Sequence, residues 1–342
     1  MYNNNLSIYQ PRLSKTRRRE KTLLNKTIFF YIVRLKRKIY HAHEGNSMYT
    51  DFYGQKWYKG NLHTHTLRSD GKVSFEEAVS RYRHLEYDFL SITDHWIPSE
   101  TKAEKKFLLL SGCEYDIKYF ETINGFKRQV VMHINGVGFT SPPKLEKKPG
   151  LKGQEIIDAI RDVDGIAVFN HPEWSRNLPS DIIKLRNLAG IEIFNSECGS
   201  NEWHFNYSGF HVDQLALMGQ NYPVFAFDDA HHFTGEEGQS FIMVRANDLS
   251  RKSIMDAIGN GHFYASQGPW LHTEVTGRSL RIICSPVLEI RVFSNSYGGW
   301  SRKEKVPVTG AVYQLPASAF YYRVEVIDKN GNRAWTSPVS IS

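Results

Sequence analysis

The chain has 342 residues, of which 41% are hydrophobic and 23% charged, and its formal net charge is +7. This is an ordinary globular composition, which excludes fibrous, low-complexity and disulfide-rich classes, and the length suits one large and one small domain. The three cysteines, Cys113, Cys198 and Cys284, are widely spaced and odd in number, so no disulfide framework is expected.

The positive charge is concentrated at the amino terminus. Residues 1–47 hold 11 lysines and arginines against 2 acidic residues, which leaves the remaining chain with a formal charge of −2. We predict that this basic leader is either disordered or an upstream extension of a true start at Met48. It is the only segment expected to contact nucleic acid. Its apolar run, Thr27–Val33, is too short for a membrane span, so we expect a cytoplasmic protein without a membrane partner.

Between residues 57 and 232, short apolar runs that end in polar residues alternate with helix-like stretches. This alternation is typical of βα units around a parallel sheet or barrel. Runs such as IAVFN and VFAFD suit strands that are covered on both faces. The seven predicted strands are Tyr58–His65, Phe89–Thr93, Leu108–Glu114, Val130–Phe139, Gly165–His171, Gly190–Asn195 and Pro223–Asp229.

The helix signals are clearest after the first strand. Ser74 is a predicted N-cap, Glu77 has capping-box spacing, and Ala78 and Tyr82 share one face. Further helices are predicted at Gly153–Val163, Ser180–Leu188, His211–Gly219 and Ser250–Ile258.

Beyond about residue 271 the pattern changes to strands without helices. Tyr322, Val324 and Val326 alternate with charged residues, which is typical of antiparallel strands. Asn330-Gly331 then predicts a hairpin turn. The sequence therefore predicts an α/β domain at 48–271 and a small antiparallel β-sandwich domain at 272–342.

Histidines and carboxylates recur where the predicted strands end. His63 and His65 lie two apart, so on a strand both point to one face and can bind one metal ion. Seven further residues are candidate ligands: Asp70 in the following loop and, at later strand ends, His95, Glu114, His133, His171, Asp229 and His231. Carboxyl ends of parallel strands meet at one face of a β/α barrel. Burying all nine together would be costly without cations, so a metal centre is predicted.

The motifs HTHTLRSDG, ITDHW, GCE, NHP and FDDAH, in this order, resemble those of the polymerase and histidinol phosphatase (PHP) superfamily. The resemblance covers roughly residues 57–270. GHFYASQGP and RVEVIDKNGNRAWTSPV also resemble the branch that includes carbaryl-hydrolase-like metallohydrolases. The resemblance implies a distorted seven-stranded (β/α) barrel that holds two to three divalent ions, Zn, Mn or Fe.

The same resemblance implies how the ligands divide among three ions. One ion would be held by His63, His65, Glu114 and Asp229. A second would be held by Glu114 as a bridge together with His133 and His171. The third would be held by Asp70, His95 and His231.

Closely spaced cations lower the pKa of a bridging water and bind substrate oxygens, so hydrolysis is the expected reaction. A small phosphomonoester or phosphodiester is the favoured substrate, with Glu114, Asp229 and His231 at the catalytic centre. Arg68 and Arg176 are candidates for binding the phosphate, and His232 is a candidate for protonating the leaving group. No covalent enzyme intermediate is expected.

Two alternatives remain open at this point. A metal-activated water also attacks carbonyl carbon, so the substrate could be a carboxylic ester, carbamate or amide. The barrel could instead be a non-catalytic, metal-stabilised binding module. The sequence contains neither a phosphate-binding P-loop nor a Gly-x-Ser-x-Gly motif, so nucleotide-dependent transfer and serine esterase chemistry have no local support.

Overall fold

The structure is a computed structural model that describes residues 49–51, 54–200, 204–297 and 299–341. The basic leader and its apolar run therefore lie outside the described residues. None of the described helices is long and apolar enough to cross a membrane.

Helices are few and short. The six described helices are α1 (Phe75–His84), α2 (Gly153–Arg161), α3 (Pro179–Ile182), α4 (Glu197–Ser200), α5 (Gly209–Leu217) and α6 (Arg251–Gly259). The side chain of Ser74 caps α1 by accepting a hydrogen bond from the Glu77 amide, as predicted. The helix predicted at Ser180–Leu188 spans only Pro179–Ile182, and Leu188 instead begins a strand that pairs with Ala167.

Strands dominate the described chain. The first nine are β1 (Tyr49–Thr50), β2 (Lys56–Asn61), β3 (Phe89–Ser91), β4 (Lys102–Glu104), β5 (Phe107–Leu110), β6 (Gly112–Ile123), β7 (Phe126–Val137), β8 (Ile166–Phe169) and β9 (Leu188–Asn195). The others are β10 (Val224–Phe227), β11 (Phe241–Arg245), β12 (Phe263–Ser266), β13 (Leu271–Thr276), β14 (Ser279–Ser294), β15 (Trp300–Gln314), β16 (Tyr321–Ile327), β17 (Arg333–Trp335) and β18 (Val339–Ser340).

These strands form two mixed sheets. The smaller has the order β10-β9-β8-β7-β6, and the larger runs β13-β14-β16-β17-β12-β11-β2-β3-β5-β4 with β1, β15 and β18 attached. The predicted seven-stranded (β/α) barrel is not evident. The pairs β6–β7 and β7–β8 are antiparallel, because β6 and β7 form a long hairpin with no intervening helix.

A hydrophobic core joins the two sheets. Phe89 and Leu108 of the larger sheet pack in one buried cluster with Val168 and Phe227 of the smaller. Isolated bridges also join strand ends of the two sheets, at Thr64–Ala230 and at His95–Glu114. The ends of β2, β3, β6 and β10 are therefore neighbours.

The carboxy-terminal strands are antiparallel, as predicted, and the hairpin at Asn330-Gly331 connects β16 to β17. They continue the larger sheet through the pairing of β17 with β12. The charged residues of this alternation, Arg323 and Glu325, are themselves 0% exposed, so both faces of β16 are covered. The domain boundary at residue 271 stays a prediction.

Candidate metal centre

His63 and His65 lie just beyond β2, and both are completely buried. Two backbone hydrogen bonds fix this segment against the end of β10. The His65 amide donates to the Ala230 carbonyl at 2.9 Å, and the Asp229 amide donates to the His63 carbonyl at 3.0 Å. This pairing brings Asp229 beside the two imidazoles.

Glu114, near the start of β6, lies among five imidazoles and is 1% exposed. Its Oε1 is 3.3 Å from His63 Nε2 and 3.0 Å from His133 Nδ1. Its Oε2 is 3.1 Å from His65 Nε2 and 3.5 Å from His95 Nδ1. Both carboxylate oxygens are therefore shared between histidines from different strands.

Asp229 approaches the same centre from the opposite strand end. Its Oδ1 is 3.0 Å from His63 Nε2 and 3.1 Å from His65 Nε2, and its Oδ2 is 3.9 Å from His171 Nε2. Asp229 and His171 both have positive φ angles, of 54° and 25°. Such backbone conformations are uncommon outside glycine and concentrate at functional sites.

Asp70 closes the centre on its solvent side and is about half exposed. Its carboxylate lies 3.3 Å from His65 Nδ1 and 3.5 Å from both His95 Nε2 and His231 Nε2. All nine residues selected from the sequence are thus brought together.

Ligand atoms form three adjoining sets, each within 4.8 Å. They are His63, His65, Glu114 and Asp229; His65, Asp70, His95 and His231; and His95, Glu114 and His133. The first set is the one implied by the family resemblance, and the second adds His65 to an implied set. The last contains His95 where the resemblance implied His171, although His171 Nε2 lies 3.6 Å from Glu114 Oε1.

Divalent cations fit this donor set. His63 Nε2, His65 Nε2, His95 Nδ1 and Asp229 Oδ1 are buried, and their close contacts with neighbouring ligand atoms lack hydrogen-bond geometry. Buried polar atoms are normally paired, so a concentration of unpaired nitrogen and oxygen atoms in one place calls for a bound species. Imidazole nitrogens with carboxylate oxygens are the ligands that zinc, manganese and iron use in proteins.

The electrostatics of the centre also suit a cation. Burial alone lowers the pKa of His63 and His65, but the surrounding carboxylates outweigh it and raise both pKa values well above the usual imidazole range. Against the effect of burial, the histidines hold the pKa values of Glu114 and Asp229 well below the usual carboxyl range. Because ligand atoms must be deprotonated, a metal ion bound here would displace the protons from the ligating nitrogens of the histidines.

A cleft of about 300 Å³ opens over the centre. Its lining residues are Asp70, His95, Glu114, His133, His171, Trp174, Glu197, Cys198, Asp229, His231 and His232. His232 thus reaches the cleft, and its Nε2 lies 3.8 Å from Glu197 Oε1. Neither Arg68 nor Arg176 lines it. Arg68 donates to the Pro98 carbonyl, and Arg176 pairs with Glu173.

Sequence reasoning missed two buried residues of β9 that contact the centre. Glu192 lies 2.8 Å from His63 Nδ1, and the Asn195 side chain donates to Asp229 Oδ2 at 3.1 Å. A carboxylate inside the otherwise apolar run IEIFN was the available signal. A charge on a strand covered on both faces needs a specific partner.

No protein-family model and no curated protein matches the chain. Among solved structures, it is similar to a two-domain protein from Bacteroides vulgatus ATCC 8482 that contains a predicted PHP-like metal-dependent phosphoesterase. The identity is 15%, the TM-score is 0.48, and the match covers 88% of this chain and 99% of that one.

Two further solved structures are similar over about half of this chain. One is an amidohydrolase from Chromobacterium violaceum with bound sulfate and no metal, at 15% identity and TM-score 0.35, covering 52% of this chain and 89% of that one. The other is a protein from Bifidobacterium adolescentis ATCC 15703 assigned as a metal-dependent phosphoesterase. It is 14% identical with TM-score 0.35, and the match covers 50% of this chain and 87% of that one.

Proposed function

We propose that the chain is a metal-dependent hydrolase that cleaves a small phosphoric ester. The observation that carries this proposal is the sharing of Glu114 between two of the three sets of ligand atoms. A shared carboxylate keeps two cations close together. A phosphoryl group offers several oxygens that adjacent cations can bind at once.

The three sets overlap at His65, His95 and Glu114, and we assign the ligands to cations as follows. His63, His65, Glu114 and Asp229 would hold the most buried ion, and Asp70 with His95 and His231 would hold the most exposed. His133 and His171 would complete the site around Glu114. The bound cations would supply Lewis acidity, which lowers the pKa of water and offsets negative charge on the ester oxygens.

The cleft favours direct attack by water over a covalent enzyme intermediate. Cys198 is the thiol that lines the described cleft. Burial, together with nearby carboxylates such as Asp229, raises its pKa well above the usual thiol range. A raised pKa lowers the thiolate fraction, which makes Cys198 a poorer nucleophile. His232, half exposed at the rim, is placed to give a proton to the leaving group.

A second candidate is hydrolysis of a carboxylic ester, carbamate or amide. No lysine or arginine is among the described residues that line the cleft, whereas Glu197 adds a carboxylate. Without a basic side chain, the cations alone would neutralise the negative charge of a phosphoryl group. A neutral carbonyl substrate is repelled less by the carboxylates of the cleft. This observation keeps the second candidate open.

The two candidates are separated by a substrate panel. Metal-replete protein is assayed with 4-nitrophenyl phosphate, bis(4-nitrophenyl) phosphate and 4-nitrophenyl acetate, and Asp229→Asn serves as the control for site-dependent turnover. We expect site-dependent hydrolysis of a phosphate ester. Turnover of the acetate alone would favour the second candidate. Turnover of none, with metal bound, would favour a non-catalytic binding module. The cytoplasmic location stays a prediction.

A further inference from the structure

Glu192 is a buried carboxylate at the middle of β9, and its side chain is 0% exposed. Its neighbours Ile191 and Ile193 are also fully buried, so the strand is covered on both sides. A carboxylate in such surroundings is costly unless every oxygen is hydrogen-bonded. The hydrogen-bond partners of the Glu192 carboxylate therefore indicate its role.

Both oxygens of Glu192 contact predicted metal ligands. Oε1 lies 2.8 Å from His63 Nδ1, and Oε2 accepts a 2.7 Å hydrogen bond from the backbone amide of His171. The Asn195 side chain donates to Glu192 Oε2 at 3.0 Å and to Asp229 Oδ2 at 3.1 Å. Glu192 and Asn195 thereby connect His63, His171 and Asp229, which come from three different strand ends.

This arrangement fixes the orientation of His63. The Glu192 carboxylate accepts a hydrogen bond from Nδ1–H, so Nε2 of the neutral ring carries the free lone pair. Nε2 faces Glu114 Oε1 at 3.3 Å and Asp229 Oδ1 at 3.0 Å, where a cation would lie between the three atoms. The hydrogen bond to the His171 amide also holds a residue whose φ is 25°.

We infer that Glu192, assisted by Asn195, is a positioning residue that sets His63, His171 and Asp229 for the buried cation. This inference rests on the proposed metal centre. In a Glu192→Gln variant the amide has one accepting oxygen, so it serves either His63 Nδ1–H or the His171 amide, but not both. The other donor then faces an amide NH₂ group, and the ligand geometry relaxes.

The test is a calorimetric titration of metal-free full-length protein with Mn²⁺, in competition with a chelator if binding is too tight. Outer-shell partners of metal-bound histidines typically contribute 10- to 100-fold to affinity, so we expect Glu192→Gln to weaken the tightest site by about that factor. The matched control is Glu325→Gln, which alters an equally buried carboxylate in the carboxy-terminal strands. It should leave Mn²⁺ affinity within about twofold, since it contacts no predicted ligand.

Asn195→Ser provides a second variant, which keeps Glu192 and removes its link to Asp229. It should weaken Mn²⁺ binding less than Glu192→Gln does. Wild-type affinity in both variants, with unchanged melting of the metal-free proteins, would overturn the positioning role and leave the proposed function intact. A wild-type protein that binds no Mn²⁺, Zn²⁺ or Fe²⁺ would instead contradict the proposed function itself.

Discussion

The carboxylate of Asp228 accepts a 2.7 Å hydrogen bond from the backbone amide of Ser240. It also accepts from the amides of Gly238 at 2.7 Å and Gln239 at 2.9 Å, so it fastens this loop to the end of β10. Burial raises the pKa of Asp228 to about 6, although these amide donors counteract the rise. The group is thus mainly ionised at neutral pH and fully used as an acceptor.

We expect Asp228→Asn to destabilise the fold. The amide nitrogen of asparagine cannot accept a hydrogen bond, so at least one backbone amide loses its acceptor, which costs about 2 to 3 kcal/mol. The measurement is the free energy of unfolding from urea denaturation. Asp256→Asn is the control because its exposed pair with Lys252 is screened by solvent and contributes little to stability. Equal stabilities of the two variants would contradict this account.

Arg323 anchors β16 to helix α5. The side chain is fully buried, donates to both carboxylate oxygens of Asp213 at 2.6 and 2.5 Å, and stacks 3.7 Å from the Phe293 ring centroid. Asp213→Asn leaves the buried guanidinium of Arg323 without the charge of this partner. We expect the free energy of unfolding to fall by about 3 kcal/mol. The double variant Arg323→Met with Asp213→Leu should lower the free energy of unfolding less than Asp213→Asn alone does. Unfolding curves that show the reverse order would argue against the ion pair as the cause.

Gly60, on β2, packs directly against β3. A Cβ atom there would meet the ring of Phe89 at 2.0 Å, and that ring is fully buried. Gly60→Ala should therefore lower stability by about 1 to 3 kcal/mol through overpacking. Gly259→Ala is the matched control, since nothing lies within 4 Å of its added Cβ. Gly60→Ala should have a lower melting temperature than Gly259→Ala. Similar melting temperatures would show that β2 shifts to accommodate the added Cβ without loss of stability.

His232 lines the cleft outside the three sets of ligand atoms. If it protonates the leaving group, His232→Ala should keep its metal content and lower kcat about 100-fold for an alkyl phosphate. The loss should be much smaller for 4-nitrophenyl phosphate, because that leaving group departs without protonation. An equal loss on both substrates would assign His232 another role. Arg176→Ala is the control, since Arg176 pairs with Glu173 away from the lining.

The sequence predicts which residues meet at the candidate metal centre because the ends of strands can be recognised in it. Apolar runs such as IAVFN mark β8, and the histidine that follows must lie at the sheet edge. Parallel neighbours then bring such ends together. The nine residues could be chosen without knowing the loops, and the strands that carry most of them lie close to the predicted positions.

Three other features depend on three-dimensional contacts that spacing does not encode. The choice between His95 and His171 beside Glu114 depends on distances that differ by tenths of an ångström. The burial of Arg323 on an alternating strand follows from its packing against helix α5, where it donates to Asp213. The predicted closed barrel is not evident in the structure because the β6–β7 hairpin stands where a βα unit was expected, and its strands pair antiparallel.

The most direct test of the metal centre is elemental analysis of the purified, metal-replete protein beside its Glu114→Gln variant, with hydrolysis of a phosphate ester measured on the same samples. Glu173→Gln, which changes a carboxylate outside the ligand sets, is the control. We predict two to three divalent ions per wild-type chain, loss of at least one in Glu114→Gln, and loss of hydrolysis with it. Fewer than two ions in the replete wild type, or full metal content and activity in Glu114→Gln, would contradict the proposed centre.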